Sequence, residues 1–309
     1  MYCTTKLFLS MEQAGGSVMD CLPFLTNLSE IYKQNTGQTY LAGHAGNLRV
    51  GVSEYGINIE GSLAKFYLGT NLHSLNRSDS RRAFEMMADT LHLPIQRATV
   101  SRVDIGVNLM TDYKPELYYP YLGPSSKYER FMQPKSIRYE NSMRRKKFYN
   151  KIAESKKYNV AIPDVYKDKN LLRYELCYMQ RLPKQFNQPV ITPDVLTNER
   201  FYMEMYDRWF KEYEVIQKVG VAKMDTTKIK TEKDFLDQLL ILSIQEKGLD
   251  AVLHQIDVLK EQKVYKHPEY YSHLKKKVRK IISSTKHVET PELLEELNRK
   301  VARAKENYR

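Results

Sequence analysis

Residues 100–109 have the sequence VSRVDIGVNL, in which apolar and polar side chains alternate. Val103 and Ile105 share one side of the segment, and Arg102 and Asp104 share the other. Because successive side chains of a β-strand point to opposite sides, this period of two predicts a strand with one buried face. The alternation also predicts that Asp104 lies on the exposed face.

More strands and one helix are predicted upstream of this segment. Residues 48–53 and 56–59 alternate in the same way around a short turn and predict a hairpin, and residues 6–9 predict a short strand. Between the hairpin and residue 100, Phe84 and Leu91 belong to a set of apolar side chains with helical spacing. The first half of the chain therefore mixes strands and helices.

Two charged strands are predicted downstream, in residues 146–151 (KKFYNK) and residues 171–179 (LLRYELCYM). Phe148 is expected on the side of the first strand opposite its polar side chains, and apolar and aromatic side chains alternate with polar ones in the second. The side chains expected on the polar sides of the two strands are Lys147, Tyr149, Lys151, Arg173, Glu175 and Cys177. The continuation of the first strand to Lys151 is part of this prediction.

Beyond a proline-rich stretch at 181–194, apolar side chains recur almost entirely at helical spacing. The predicted fold is α+β, with a catalytic domain that has a largely antiparallel sheet and packed helices in residues 1–185. A mostly helical domain for DNA or partner binding is predicted in residues 195–309. Its segment HLKKKVRK, residues 273–280, is the densest positive cluster and is predicted to contact phosphates.

The composition favours a polyanionic partner. The 309 residues carry a formal net charge of +12, and tyrosines are interleaved with lysines and arginines, a mixture that suits phosphates and bases. No stretch is long and apolar enough to cross a membrane, and the start of the chain lacks the pattern of a signal peptide. Three cysteines without paired spacing favour a reducing compartment, so a cytoplasmic location is expected.

Tyr149 is the candidate nucleophile. A phenol has an ordinary pKa of about 10, so a nucleophilic tyrosine needs positive charge or a metal nearby to favour the phenolate. The sequence places five cations around it, namely Arg144, Arg145, Lys146, Lys147 and Lys151. The alternative interpretation is a tyrosine on a solvated, charged strand.

Three acids are candidate metal ligands: Asp104, Glu154 and Glu175. Mg²⁺ prefers oxygen ligands and is usually held by a few carboxylates together with water and substrate phosphate. Beside Tyr149, such an ion would stabilise charge on a phosphate. The alternative is that Asp104 and Glu175 pair with Arg102 and Arg173 on their own strands.

Several common motifs are absent from the sequence. It contains no His-x-His pair, no HExxH segment and no glycine-rich phosphate-binding loop. A two-histidine metal site and a nucleotide-dependent motor are therefore not supported. Any helicase that acts with this protein would be another chain.

The order of the motifs resembles the replication initiators of filamentous phages, the gene II protein family, and their phage and plasmid relatives. The matching segments are GSLAKFYLGTN (61–71), VSRVDIGVN (100–108), KKFYNKIAE (146–154) and LLRYEL (171–176). The matching residues are Ser62, Ala64, Lys65, Gly69, Asn71, Ser101, Arg102, Asp104, Tyr149, Lys151, Glu154, Arg173 and Glu175.

The resemblance implies a rolling-circle initiator that nicks duplex origin DNA through Tyr149, keeps the new 5′ phosphate on the tyrosine and later rejoins the displaced strand. Lys151 and Arg173 would stabilise charge, and the three acids would bind Mg²⁺ or Mn²⁺. The implied partners are duplex and single-stranded origin DNA and a host helicase and polymerase, in the cytoplasm of a bacterial host. In related plasmid initiators a later tyrosine attacks, for which Tyr178 is the local candidate.

Two alternatives remain open at the level of sequence. A non-catalytic DNA-binding protein would use the same basic and aromatic residues, with its acids in ion pairs. A mobile-element relaxase or transposase would share the tyrosine chemistry but act on a different substrate.

Overall fold

A computed structural model of the chain describes residues 1–34, 37–222, 229–282, 288–289 and 291–307. The strands are β1 (Tyr2–Ser10), β2 (Thr26–Lys33), β3 (Gln38–Ala45), β4 (Leu48–Ser53), β5 (Gly56–Ser62), β6 (Thr99–Thr111), β7 (Leu122–Ser125), β8 (Glu129–Gln133), β9 (Ser136–Glu140), β10 (Arg144–Asn150), β11 (Asn170–Tyr178), β12 (Ile216–Lys218), β13 (Val221–Ala222) and β14 (Val288–Glu289). The α-helices are α1 (Met11–Ala14), α2 (Leu63–Leu68), α3 (Arg77–Leu91), α4 (Lys151–Lys157), α5 (Leu182–Phe186), α6 (Pro193–Thr197), α7 (Glu199–Glu214), α8 (Glu232–Lys247), α9 (Leu249–Glu261), α10 (Glu269–Ile282) and α11 (Glu292–Asn307).

Ten strands form one antiparallel sheet in the order β2-β3-β4-β5-β1-β6-β11-β10-β9-β8. The long strand β6 lies near its centre, between β1 and β11. Its alternating side chains gave the prediction of a strand, which is confirmed. The hairpin of β4 and β5 is also confirmed.

The two faces of the sheet differ in chemistry. One face carries the apolar side chains, including Leu7, Ile59 and Ile105, and packs with helix α3 through Phe84. The other face, called the polar face below, carries the alternate side chains of the same strands, among them Lys6, Glu60 and Arg102. Period-two alternation produces this separation, because each strand presents every second side chain to the same side.

Two hydrophobic cores are present among the described residues. The larger combines the apolar face of the sheet with α7 and α11, through side chains such as Trp209 and Leu297. The smaller joins α8, α9 and α10 through Ile244, Ile256 and Val278. The α+β class with a mostly helical C-terminal region is confirmed, whereas the division at residues 185–195 stays a prediction.

The helices predicted after residue 195 are present as α7 to α11. Within the predicted helical region 195–309, residues 223–228, 283–287, 290, 308 and 309 lie outside the described residues. The short pairings of β12 with β7 and of β13 with β14 were not predicted. No helix in the described part of the chain is long and apolar enough to cross a membrane.

The structure corrects the end of the strand predicted at residues 146–151. Strand β10 ends at Asn150, whose side chain accepts a hydrogen bond from the backbone of Ala153 at 3.0 Å and caps helix α4. Asparagine at this position satisfies a free amide of the first helical turn. Lys151 and Glu154 therefore lie on a helix and not on the strand.

A second correction concerns Asp104, which was expected to be exposed. Only 5% of this residue is exposed. Arg102 donates hydrogen bonds to both of its carboxylate oxygens, at 3.0 and 2.8 Å, and Cys177 of the neighbouring strand lies directly across from it. The polar face is therefore partly buried at its centre by its own side chains.

Candidate active site on the polar face of the sheet

Tyr149 lies on the polar face, one residue before the end of β10. Its cross-strand neighbours are Arg173 in β11 and Ser136 in β9. Lys147 pairs with Glu175 in the same register, which places Glu175 diagonally beside Tyr149. Only 7% of Tyr149 is exposed. The sheet register therefore brings together residues that are far apart in the sequence.

Glu175 connects the tyrosine to a buried cation. Its Oε1 atom accepts hydrogen bonds from the Tyr149 hydroxyl at 3.1 Å and from Arg173 Nε at 2.7 Å. Burial alone would raise the pKa of this carboxyl, but the Arg173 guanidinium and the Tyr149 hydroxyl lower it below its ordinary value. Glu175 is therefore ionised at neutral pH and accepts a hydrogen bond from the Tyr149 phenol.

Arg173 is fixed on several sides. Its Nη1 atom donates to Asn108 Oδ1 at 2.8 Å and to the Asn71 carbonyl at 3.2 Å, and the residue is 2% exposed. Gly106 supplies the space for it, because a β-carbon at residue 106 would lie 2.3 Å from Arg173 Nη2. The guanidinium is thus seated in a gap that only glycine leaves open.

Two of the five predicted cations lie at the Tyr149 ring. Lys147 Nζ is 4.5 Å and Lys151 Nζ is 5.9 Å from the ring centre. Lys151 also pairs with Glu154 at 2.6 Å. Lys147 is partly exposed and close enough to the phenol to attract a phosphate that reaches it, whereas Lys151 is 1% exposed.

The other three cations of the basic run have acidic partners elsewhere. Arg145 pairs with Glu140 at 2.5 Å on the polar face. Arg144 and Lys146 alternate to the opposite side and pair with Glu212 of α7, at 2.6 and 2.9 Å. The expectation that all five cations surround the phenol is therefore wrong, since strand alternation sends two of them to the other face.

The phenol itself is protonated in this arrangement. Burial and the nearby carboxylate of Glu175 raise the pKa of Tyr149 well above its ordinary value, while Arg173 acts in the opposite direction. A nucleophilic tyrosine here requires a proton acceptor. Glu175 is in hydrogen-bond contact with the hydroxyl and can fill that role.

The three predicted metal ligands do not form a ready metal site. Asp104 is bound by Arg102, Glu175 by Arg173 and Glu154 by Lys151. Burial raises the pKa of the Asp104 carboxyl despite the two hydrogen bonds from Arg102. Within the described ranges, no group of three or more His, Cys, Asp and Glu side chains is placed to hold a metal ion. The ion pairs considered as the alternative for Asp104 and Glu175 are both present.

A comparison with protein families identifies the chain's relatives. The sequence profile of the N-terminal part of a replication-associated protein, the gene II protein of phages, matches residues 30–212, more than half of the chain. The chain belongs to this family of phage replication-associated proteins. The matched segment contains Tyr149, Arg173 and Glu175 and ends before helix α8. No curated protein matches the chain.

Tyr178 occupies a different environment in this member of the gene II protein family. Its ring lies on the apolar face, with 0% exposure, and packs against Phe186 at a centroid distance of 4.7 Å. Burial raises the pKa of its hydroxyl above the ordinary value. Tyr178 and Tyr149 therefore lie on opposite sides of the sheet.

Several residues of this site had no role in the sequence analysis. Asn108 and Gly106 hold or accommodate Arg173, and Cys3 Sγ lies 3.9 Å from Glu175 Oε1. Asn108 and Gly106 follow the same period-two alternation that puts Asp104 on the polar face, so the sequence pattern could have identified them. Nothing in the sequence placed Cys3 near Tyr149, because the pairing of β1 with β6 is a long-range contact.

Proposed function

We propose that the chain is a rolling-circle replication initiator that cleaves one strand of origin DNA through Tyr149. The observation that carries the proposal is the hydrogen bond from the Tyr149 hydroxyl to an ionised carboxylate, Glu175, which is itself held by Arg173. The membership in a family of phage replication-associated proteins supports DNA as the substrate.

The cleavage step is a transesterification. The Tyr149 hydroxyl oxygen attacks the phosphorus, and its proton passes to Glu175. A bond forms between phosphorus and the phenolic oxygen, and the bond from phosphorus to the 3′ oxygen breaks. The 3′ oxygen leaves with the electron pair and takes a proton from solvent. The products are a 5′ phosphotyrosine and a free 3′ hydroxyl.

The charges near Tyr149 have separate roles in this proposal. Lys147 lies at the phenol ring and attracts the phosphate. Lys151 is 1% exposed and paired with Glu154, so its expected role as a charge stabiliser stays a prediction. Arg173 is too buried to meet the phosphate and is a positioning residue that keeps Glu175 ionised and oriented. The resemblance implied that Arg173 stabilises the charge on the phosphate directly. In this proposal Arg173 acts through Glu175 instead.

The dependence on Mg²⁺ or Mn²⁺ stays a prediction. Asp104, Glu154 and Glu175 are each neutralised by a cation, so they do not fit a preformed metal site. The reaction above uses only the side chains at Tyr149. Cleavage in the presence of a chelator tests the prediction directly.

The remaining steps follow from the same chemistry. Attack of a 3′ hydroxyl on the phosphotyrosine reverses the first reaction and would rejoin the displaced strand as a circle. A host polymerase that extends the 3′ hydroxyl and a host helicase that opens the duplex are the proposed partners. The bacterial cytoplasm is the proposed location.

The test uses supercoiled DNA of the chain's own replicon. The wild-type chain should produce nicked circles and protein attached to a 5′ end on denaturing gels, whereas Tyr149→Phe should produce neither and still bind DNA. Tyr158→Phe is the matched control, because Tyr158 is 62% exposed at the end of the adjacent helix α4. Cleavage by Tyr149→Phe would assign the nucleophile to another residue.

A non-catalytic DNA-binding role is the second candidate. It is favoured by the observation that the site acids are ion-paired and that the pKa of Tyr149 is raised. Binding without a nick, with or without Mg²⁺ or Mn²⁺, would support it. A relaxase or transposase would instead form the 5′ adduct but join its strand to a different DNA.

A further inference from the structure

The polar face contains a cup on the side of the sheet away from β10. Residues of strands β1 to β5 line a cavity of about 580 Å³. Its lining includes three aromatic side chains and three basic or imidazole side chains: Phe8, Tyr40, Tyr55, Lys6, His44 and Arg49. The volume is in the range of ligand pockets, which is about 300–1,000 Å³.

The charged side chains that line the cup favour the binding of an anion. Among the described residues that line it, Glu60 is the only acid, and it is paired with Arg102 at 3.2 Å and with Lys6 at 3.8 Å. Arg49 is exposed and makes no ion pair with any residue that the structure describes. The cup therefore offers the exposed guanidinium of Arg49 beside partly exposed aromatic rings.

One aromatic ring of the cup packs over a glycine, and another is exposed. A β-carbon at Gly51 would lie 3.3 Å from the Tyr40 ring, so the glycine lets this ring lie close against the neighbouring strand. Tyr55, in the turn between β4 and β5, is 57% exposed. A flat ligand can thus stack on aromatic surface from the open side of the sheet.

The cup and the tyrosine site belong to one continuous face. Lys6 of β1 pairs directly with Arg102 of β6, and Arg102 contacts Asp104, which faces Cys177 of β11. From β4 to β10 the sheet has five strand-to-strand intervals, roughly 24 Å at about 4.8 Å each. One extended polyanion can occupy both places.

We propose that this cup binds unpaired bases of the substrate strand while the same strand crosses the sheet to Tyr149. The ligand is single-stranded DNA, because a base meets an aromatic ring face to face only when it is released from the duplex stack. Arg49 and Lys6 contact its phosphates. This inference rests on the proposed function, since it assigns the substrate-binding surface of that site.

The test measures binding of the full chain to a fluorescein-labelled oligothymidylate of about 20 nucleotides, long enough to cover the face at about 3.4 Å per nucleotide. The double variant Arg49→Ala/Tyr55→Ala should bind roughly ten- to a hundredfold more weakly, with a salt slope smaller by about 0.7. The matched control is Arg82→Ala/Phe235→Ala, in which an exposed arginine on α3 and a 44% exposed aromatic on α8 lie outside the cup.

Unchanged oligothymidylate affinity in the double variant would overturn the proposal, as would an equal loss of duplex and single-strand affinity. Thermal unfolding of each variant tests whether the fold is retained. Cross-linking of 5-iodouracil oligonucleotides, followed by mass spectrometry, should attach bases to Phe8, Tyr40 or Tyr55. These readouts do not require cleavage. If the chain binds DNA through the cup but forms no phosphotyrosine, the proposed nuclease activity is refuted and the proposed binding site stands.

Discussion

The hydroxyl of Tyr149 donates a hydrogen bond to Oε1 of Glu175 at 3.1 Å. The two residues are on neighbouring antiparallel strands, and their contact is diagonal within the register. The phenol is protonated and its acceptor is ionised, because Arg173 neutralises the carboxylate from the other side. In the proposed reaction, Tyr149 would be the nucleophile and Glu175 its proton acceptor.

Glu175→Gln should slow DNA cleavage by about 10²- to 10⁴-fold, because an amide cannot take the Tyr149 proton. The amide oxygen still accepts from Arg173, so DNA affinity and the fold should be retained. Single-turnover cleavage and anisotropy binding measure the two effects separately. Glu140→Gln, which changes an ion-paired acid on β9, is the control. Equal losses of cleavage and binding would make Glu175 a structural partner of Arg173 only.

Gly106→Ala should disturb the site without touching an ionisable group. The added β-carbon would lie 2.3 Å from Arg173 Nη2, so the guanidinium must move and its contact with Glu175 must change. We expect a loss of about 1–3 kcal/mol in the free energy of unfolding, together with slower cleavage. Urea denaturation measures the first effect.

Gly16→Ala is the matched change, because nothing lies within 4 Å of a β-carbon at that residue. It should leave both stability and cleavage close to wild type. A Gly106→Ala chain that unfolds and cleaves like Gly16→Ala would show that Arg173 has room to shift without consequence.

Glu212→Gln should destabilise the fold by about 3–5 kcal/mol, because it removes the charge that compensates Lys146. Lys146 is 0% exposed, and its Nζ lies 2.9 Å from Glu212 Oε2. Urea denaturation at pH 7 measures the change. Glu214→Gln alters an exposed acid two residues further along the same helix and should stay within about 0.5 kcal/mol of wild type.

The same pair predicts a pH dependence of stability. Burial raises the pKa of Glu212, but Lys146, Tyr128 and Arg144 outweigh it and lower the pKa below the ordinary 4.5. The unfolded state then binds more protons than the folded state as the pH falls below about 4.3, and stability is lost. The difference between wild type and Glu212→Gln should shrink in that range. A constant difference would place the stabilisation elsewhere.

Mg²⁺ should bind weakly to the protein without DNA, since the three candidate carboxylates already have cationic partners. Isothermal titration should therefore show no tight site. If the predicted cofactor is correct, cleavage should stop in EDTA and return with Mg²⁺ or Mn²⁺, because DNA phosphate supplies the missing ligands. Undiminished cleavage in EDTA would refute the metal requirement.

Local patterns predicted much of this fold. The alternation in residues 100–109 identified β6, and the same signal put Tyr149, Arg173 and Glu175 on polar faces. Helical spacing identified α3 and the helices after residue 195. The failure at Lys151 has a local cause, the capping of α4 by Asn150.

What the sequence determined by itself was the type of each element and the side of each strand that is polar, because both depend on neighbours within a few residues. It offered the pairing of Glu175 with Arg173 only as one alternative. Tertiary structure decided that Tyr149 donates to Glu175, that Lys146 pairs with Glu212, and that Gly106 makes the room for Arg173. Those choices depend on strand register and helix packing, which bring together residues that are far apart in the chain and out of reach of any local pattern.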